Sequence, residues 1–264
     1  MCGRYAILSA PEAIRALFAY QERPHFPPRY NVAPSQPIPI VRLNEGQRQF
    51  ALVRWGLIPA WVKDPRAFSL LIIARGESVN GKVAFRNAMR RRRCLIPADG
   101  FYEWKREGNR TRPYFVRRRD RKPLAFAGLW ETWIGPNGEE MDSAAVVTTA
   151  ANRTVAAVHD RMPVIVAPEA FDFWLDCTKV DAQTASALIA PAPENLLEVY
   201  EVSPAVNRTA NDSPTLVEPL AAAGSEAATS GAPVEPAATA TESASVGPTR
   251  KRRAKKDDGQ ASLF

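Results

Sequence analysis

Residues 93–130 read RCLIPADGFYEWKREGNRTRPYFVRRRDRKPLAFAGLW, and this stretch decides the fold. Residues 93–97, 114–117 and 124–130 are short apolar runs of strand length. What separates them is Gly, Pro, Asn and charge, with no helix-length amphipathic segment between. Working outward, further strand-like runs fall at 38–42, 50–55, 144–149 and 197–202. Helical periodicity is confined to 11–18, 84–91, 151–158, 168–176 and 181–190. Strands that cluster, rather than alternate with helices, predict an α+β fold. Its sheet should be largely antiparallel and curved, not a doubly wound parallel one.

The 264 residues carry 35 Lys and Arg against 28 Asp and Glu, a formal charge of +7. From residue 213 onward six basic and six acidic residues cancel, so the whole excess belongs to residues 1–212. A basic folded region suits a polyanionic partner, most often nucleic acid. No run approaches the roughly 20 apolar residues of a membrane span, and MCGRYAILSAPEAIRA lacks the layout of a secretory signal, so the expectation is a cytoplasmic protein. Three cysteines, Cys2, Cys94 and Cys177, form no CxxC and sit with only two histidines, which excludes a disulfide framework or a structural zinc site. Cys94 and Cys177 read as inert, and His25 as a surface residue. The arginine run 90–93 reads as a solvated helix end.

The composition changes near Pro214, after which Ala, Ser, Thr, Pro, Glu and Gly dominate with no aromatic until the terminus. The expected organisation is one domain over residues 1–212, a flexible linker over 213–248, and a basic segment with a terminal peptide over 249–264.

Cys2 carries the most chemical information. A small second residue normally permits removal of Met1, which would leave cysteine with a free amine and a free thiol. Their reference pKa values, about 8 and about 8.5, make each partly nucleophilic near neutrality. Such a 1,2-aminothiol takes an aldehyde first as an imine and then as a five-membered thiazolidine.

The text around it is ordered. Cys2-Gly3-Arg4-Tyr5 is followed by Arg29-Tyr30-Asn31-Val32-Ala33-Pro34, then Trp55-Gly56-Leu57-Ile58-Pro59-Ala60-Trp61 and Ala74-Arg75-Gly76-Glu77-Ser78. The block from Arg93 to Trp104, residues 124–130, and Val158-His159-Asp160-Arg161-Met162-Pro163 complete the series. Together these blocks resemble the SRAP family of abasic-site processing proteins over roughly residues 2–205. The resemblance implies a single α+β domain, with antiparallel strands curled into a barrel-like core, peripheral helices and a positively charged groove.

It also implies a function: recognition of abasic sites in single-stranded DNA and a covalent thiazolidine DNA-protein crosslink through Cys2, within the response to DNA damage. Met1 must first be lost, and the family is credited with removing it autocatalytically. Glu103 matches the family's catalytic glutamate and His159 its catalytic histidine, types suited to moving protons near neutral pH. Arg4, Arg75 and Arg161 match phosphate-holding positions. Asn31, Pro34, Trp61 and Trp104 match the surface that supports the lesion and stacks bases. No metal or cofactor is implied, and a monomer associated with the nucleoid or replication fork is expected.

In one place the sequence departs from the family's pattern: Ile73 stands where an asparagine precedes Ala-Arg. Isoleucine offers no hydrogen bond to the amine or the sugar, which predicts slower crosslinking, unless a neighbour such as Asn31 substitutes. At the other end, Gln260, Leu263 and Phe264 resemble a bacterial sliding-clamp peptide on a flexible tether. Two other readings stand beside the first: a cysteine peptidase or hydrolase using Cys2, His159 and Glu103, and a non-covalent single-stranded DNA binder whose chemistry is impaired by Ile73.

Overall fold

A computed structural model of the chain describes residues 3–220. Met1, Cys2 and residues 221–264 lie outside the described residues. So do the expected nucleophile, most of the expected linker, the basic segment and the clamp-like residues Gln260, Leu263 and Phe264.

In chain order the strands are β1 (Tyr5–Ile7), β2 (Arg29–Val32), β3 (Pro37–Asn44), β4 (Gln47–Trp55), β5 (Ile73–Arg75), β6 (Arg93–Ala98) and β7 (Gly100–Glu107). They continue with β8 (Arg110–Arg118), β9 (Leu124–Ile134), β10 (Glu140–Ala150), β11 (Arg161–Pro163) and β12 (Leu197–Glu201). The helices are α1 (Pro11–Phe18), α2 (Val83–Arg91), α3 (Arg153–Ala156), α4 (Phe171–Leu175) and α5 (Ala182–Ala185).

Five strands close on themselves in the order β10-β4-β3-β6-β9, with β9 pairing back onto β10. The expected α+β fold with a barrel-like core is therefore what the chain adopts. Most pairs are antiparallel, but β10 runs parallel to both β4 and β5. The β3–β4 hairpin turns at Glu45 and Gly46, with φ of 49° and 77°. Two left-handed residues in succession give the tight turn whose twist suits flanking strands.

A second sheet, ordered β12-β8-β7-β1-β2, lies beside the barrel. Side chains alternate between its two faces, and both faces are buried. Tyr5, Phe101 and Val116 join the barrel's core, whereas Ala6, Tyr102 and Phe115 join a smaller cluster with Val202, Val206 and Leu216. Tyr5 meets Trp55 and Phe126 edge-on at 5.4 and 6.1 Å, fixing sheet to barrel.

The outer cluster is covered by the chain after β12. Asn31 is 1% exposed, and its side-chain N–H groups donate to the carbonyls of Val206, Arg208 and Asn211 at 3.2, 3.0 and 2.8 Å. Tyr102 Oη donates to the Tyr30 carbonyl at 2.7 Å, and Leu220 N–H donates to the Glu201 carbonyl at 2.8 Å. The folded unit thus runs past residue 212, where composition suggested that a linker begins. Leu216 and Val217 form too short an apolar pair to read as an element, and only the distant sheet face gives them somewhere to bury.

The arginine run is also corrected. Arg93 is 1% exposed and donates to the backbone carbonyls of Met89, Trp174, Asp176 and Val180. Arg92 packs 5.0 Å from the Trp130 ring and pairs with Glu131 at 2.9 Å. A run of four like charges reads as solvated because three of the four residues whose carbonyls solvate Arg93 lie more than 80 residues away in sequence. Cys94 is buried, and burial pushes its thiol pKa up, out of reach of ionisation.

Replacing Asn31 by Ala would leave the Arg208 and Asn211 carbonyls without this donor and Arg4 without its amide acceptor, while the Val206 carbonyl would keep its bond from Arg4. The expected loss is about 2–4 kcal/mol of unfolding free energy, read by urea denaturation. A cost within experimental error would show that the C-terminal strap does not depend on this side chain.

Candidate active site

Glu103 sits on β7 two residues after Phe101, so strand alternation turns it to the same inner face. It is 0% exposed. A glutamate ordinarily reaches water, and here its place on the inner face of β7 prevents it. Burial is the main cause that pushes its carboxyl up to about 7; Asp160 adds to the rise, and a hydrogen bond from the Trp104 backbone opposes it.

His159 arrives from the connection between β10 and β11. Asn152 caps α3 by accepting from Val155 N–H at 3.0 Å, and His159 N–H then donates to the Val155 carbonyl at 3.0 Å. The imidazole Nδ1 accepts from the Arg161 N–H at 3.0 Å, which leaves the proton of the neutral ring on Nε2. Nε2 stands 4.0 Å from Glu103 Oε2. That is too long for a hydrogen bond, so the two groups address a common space without being spent on each other. Burial lowers the His159 pKa, partly offset by Asp160, whose Oδ1 is 3.0 Å from Nδ1. The neutral ring therefore prevails at neutral pH, with Asp160 placed to steady the cation when it forms.

Both residues line a groove of 890 Å³ with Trp104, Lys105, Arg106 and Asn207. Trp104 is held by Nε1 donating to Asn207 Oδ1 at 2.7 Å, and Arg4 lies 5.8 Å from its ring. Arg4 also donates to Asn31 Oδ1 at 2.7 Å and to the Val206 carbonyl at 2.9 Å. Lys105, Arg106 and Asn207 were not singled out in the sequence. The two cations follow the Glu103 block directly, but nothing local marks Asn207, which reaches the groove only through the C-terminal strap.

The other candidates are dispersed. Arg161 is bidentate on Glu77 and donates to Thr148 Oγ1 at 3.1 Å and to the Thr148 carbonyl at 2.9 Å. Arg75 is exposed at the end of β5, opposite Thr148. Ile73 shares its face of β5, because Ala74 between them turns into the core. Pro34 is half-buried in the turn after β2. Asn31 is buried as a brace for Arg4 and the strap, so neither its amide nor its oxygen is offered to a ligand. Trp61 is 58% exposed, lies edge-on to Phe68 at 5.7 Å, and lines a different cavity. Among the described residues no group of His, Cys, Asp and Glu could hold a metal ion, and no helix is long and apolar enough to cross a membrane.

The raised Glu103 pKa has a consequence for stability. The folded state favours the protonated carboxyl, so this favourable contribution is complete below the unfolded value near 4.5 and is lost as pH rises through about 7. Relative to Glu103→Gln, the wild type should lose about 3 kcal/mol between pH 4.5 and 8. Equal pH dependence of the two proteins in chemical denaturation would show that the carboxyl is not desolvated in solution.

The chain matches the family described as SOS response associated peptidase (SRAP) over residues 1–209. It is 38% identical to the abasic site processing protein YoqW of Bacillus subtilis, across 83% of this chain and 99% of that one. It is 31% identical to YedK of Escherichia coli, across 83% and 100%. A crystal structure of a Bacteroides thetaiotaomicron protein superposes with a TM-score of 0.75 at 23% identity, covering 83% of this chain and all of that one, which shows the shared fold. With residues 1–209 matched throughout and the barrel shared, the chain belongs to the SRAP family.

Proposed function

We propose that this protein processes abasic sites in single-stranded DNA and captures them covalently through Cys2. The relatives' names as abasic site processing proteins support the substrate class. The observation that carries the chemistry is the β1–β7 register. Tyr5 pairs with Phe101 and Ala6 with Gly100, and Tyr102 N–H donates to the Arg4 carbonyl at 3.0 Å. Continued by one residue, that register brings the N-terminal end of β1 to Glu103.

Once Met1 is removed, the Cys2 amine adds to the C1′ aldehyde of the ring-opened sugar, and loss of water gives an imine. The thiolate then adds to the imine carbon, the nitrogen takes up a proton, and the thiazolidine closes with one water released overall. A carboxyl titrating near 7 can accept the amine's proton and return one to the departing hydroxyl. Neutral His159, with its proton on Nε2, can donate to the sugar as its ring opens. Arg75, Arg106 and Trp104 border the route of the strand, with Arg161 freed for phosphate if it exchanges Glu77. The reading retains the terminal residues Gln260, Leu263 and Phe264 as a clamp tether.

The protein mixed with an abasic oligonucleotide should give a band of reduced mobility on a denaturing gel. An intact oligonucleotide should give none. Cys2→Ala, or one extra residue before Cys2, should abolish the adduct, and Glu103→Gln should slow it by roughly 10²–10⁴-fold. An adduct that persists without a free N-terminal cysteine would sink the mechanism. Cleavage with repeated turnover would favour the hydrolase reading instead.

Ile73 gives a separate test. It shares the β5 face with Arg75 and supplies no donor or acceptor there. The Ile73→Asn protein should crosslink several-fold faster, in line with a gain of about 1 kcal/mol from one hydrogen bond. An unchanged or lower rate in single-turnover gels would remove the idea that isoleucine limits this enzyme.

A further inference from the structure

We propose that a cavity between α1 and the loop after it binds free inorganic phosphate, with Glu12 as the group that tells phosphate from sulfate. The cavity measures 180 Å³ and is lined by Pro11, Glu12, Arg15, Arg23, Pro24 and His25. It shares no wall with the groove of Glu103 and His159, so it stands apart from any chemistry on abasic DNA. Its size suits a small ion, since sites for drug-sized ligands run to roughly 300–1,000 Å³.

The local sequence builds the cavity. Ala19 closes α1 with a φ of 55°, a left-handed residue that reverses the chain. The segment that follows returns past the helix, and Pro24, Pro27 and Pro28 stiffen it. Glu12 and Arg15, neighbours on one face of the helix, thereby meet Arg23 and His25 across the cavity. Arg15 is half-buried, yet among the described residues neither it nor Arg23 has an ion-pair partner, and Glu12 has none either. Glu22 is drawn away, with Oε2 accepting from the Phe50 N–H at 3.1 Å.

Tyr20 points the same way. It is 3% exposed, its ring lies 5.4 Å from that of Phe50, and its buried hydroxyl has no hydrogen-bond partner among the described residues. Burial pushes its pKa up to about 12, so the group stays a donor throughout the neutral range. The charged groups that act on it are Arg15, then Glu22 and Glu12. Arg15 and Glu12 are both walls of the cavity, which places the hydroxyl on that side of the ring. A buried hydroxyl left unpaired is uncommon, and an oxyanion in the cavity would satisfy it.

The mixture of donors and one carboxylate defines the ion. Two guanidinium groups and a phenol O–H donate, His25 offers an N–H, and Glu12 accepts. Sulfate has acceptors only, so its charge would meet the Glu12 carboxylate unrelieved. Inorganic phosphate near neutral pH keeps a P–O–H that donates to Glu12, while its other oxygens accept from the arginines and Tyr20. A phosphodiester has no such proton, and a phosphomonoester has lost it above a second pKa of about 6. The free ion is therefore selected over a nucleic-acid backbone or a nucleotide.

Isothermal titration calorimetry and the rise in Tm, with millimolar sodium phosphate, sodium sulfate or adenosine monophosphate at matched ionic strength, test the site. Phosphate should bind the wild type, and sulfate and the nucleotide should bind roughly tenfold more weakly or less. Glu12→Gln should bind phosphate and sulfate alike, because an amide donates as well as accepts. Arg15→Gln should weaken phosphate binding roughly tenfold to a hundredfold, and Tyr20→Phe roughly fivefold to tenfold. Without ligand, Tyr20→Phe should be at least as stable as wild type, since it removes an unpaired hydroxyl, so its loss of binding cannot be put down to unfolding. Equal responses of the wild type to phosphate and sulfate, or a preference that survives in Glu12→Gln, would overturn the site. Tighter binding of the nucleotide than of phosphate would overturn the free ion as its ligand.

Discussion

Everything at the candidate site depends on one sheet being buried on both sides. In β7 the residues alternate between the barrel and the C-terminal strap, so Phe101 and Glu103 face inward while Tyr102 and Trp104 face outward. An ordinary two-layer arrangement would leave one of these faces in water, and a carboxyl there would titrate normally. Here the strap covers the outer face, and the barrel holds Glu103 in a medium of low polarity. Desolvation is what brings the carboxyl into the range where it can give and take protons at neutral pH. The cost to folding and the capacity for chemistry have the same physical source.

The strap explains why Arg4 and Asn31 are where they are. Asn31 ties Val206, Arg208 and Asn211 to β2, and Arg4 bonds both Asn31 and Val206 while lying over Trp104. Asp212 reinforces the same seam by accepting from the backbone N–H of Tyr30 and Asn31 at 2.5 and 3.1 Å. A groove wall built this way is stiff, because moving the Trp104 ring would break its contacts to Asn207 and Arg4, which lie in two separated segments. Stiffness there favours a fixed geometry between Glu103 and His159 over closure around a ligand.

The barrel was legible in the sequence because its strands are buried on both sides and read as apolar runs, as at 93–97 and 124–130. Strands β1, β2 and β7 do not read as such runs. β1 is only three residues long, and β2 and β7 mix arginine, glutamate or asparagine with aromatics. Glu103 and His159 could be named from the motifs that hold them. Their 4.0 Å approach could not, since it brings β7 against the distant connection between β10 and β11 and depends on the cap that fixes α3. Asn207 and the latch on Asn31 were illegible for the same reason: hydrogen bonds spanning more than 100 residues leave no local pattern.

The excess of positive charge is distributed differently from what the motifs suggest. Arg4, Arg93 and Arg161, three arginines inside matched blocks, spend their donors on backbone carbonyls, an amide oxygen and Glu77. Arg112 and Arg117 are likewise committed to Glu201 and Glu198. A guanidinium so engaged shapes the fold and contributes to the field, but it must exchange a partner before it can grip a phosphate. Arg75 and Arg106 near the first groove, and Lys82, Arg86 and Arg90 along α2, have no ion-pair partner among the described residues and face solvent. Attraction for a polyanion concentrates where charge is uncompensated. The surplus of +7 is therefore expressed by exposed cations that have no ion-pair partner among the described residues, rather than by Arg4, Arg93 and Arg161.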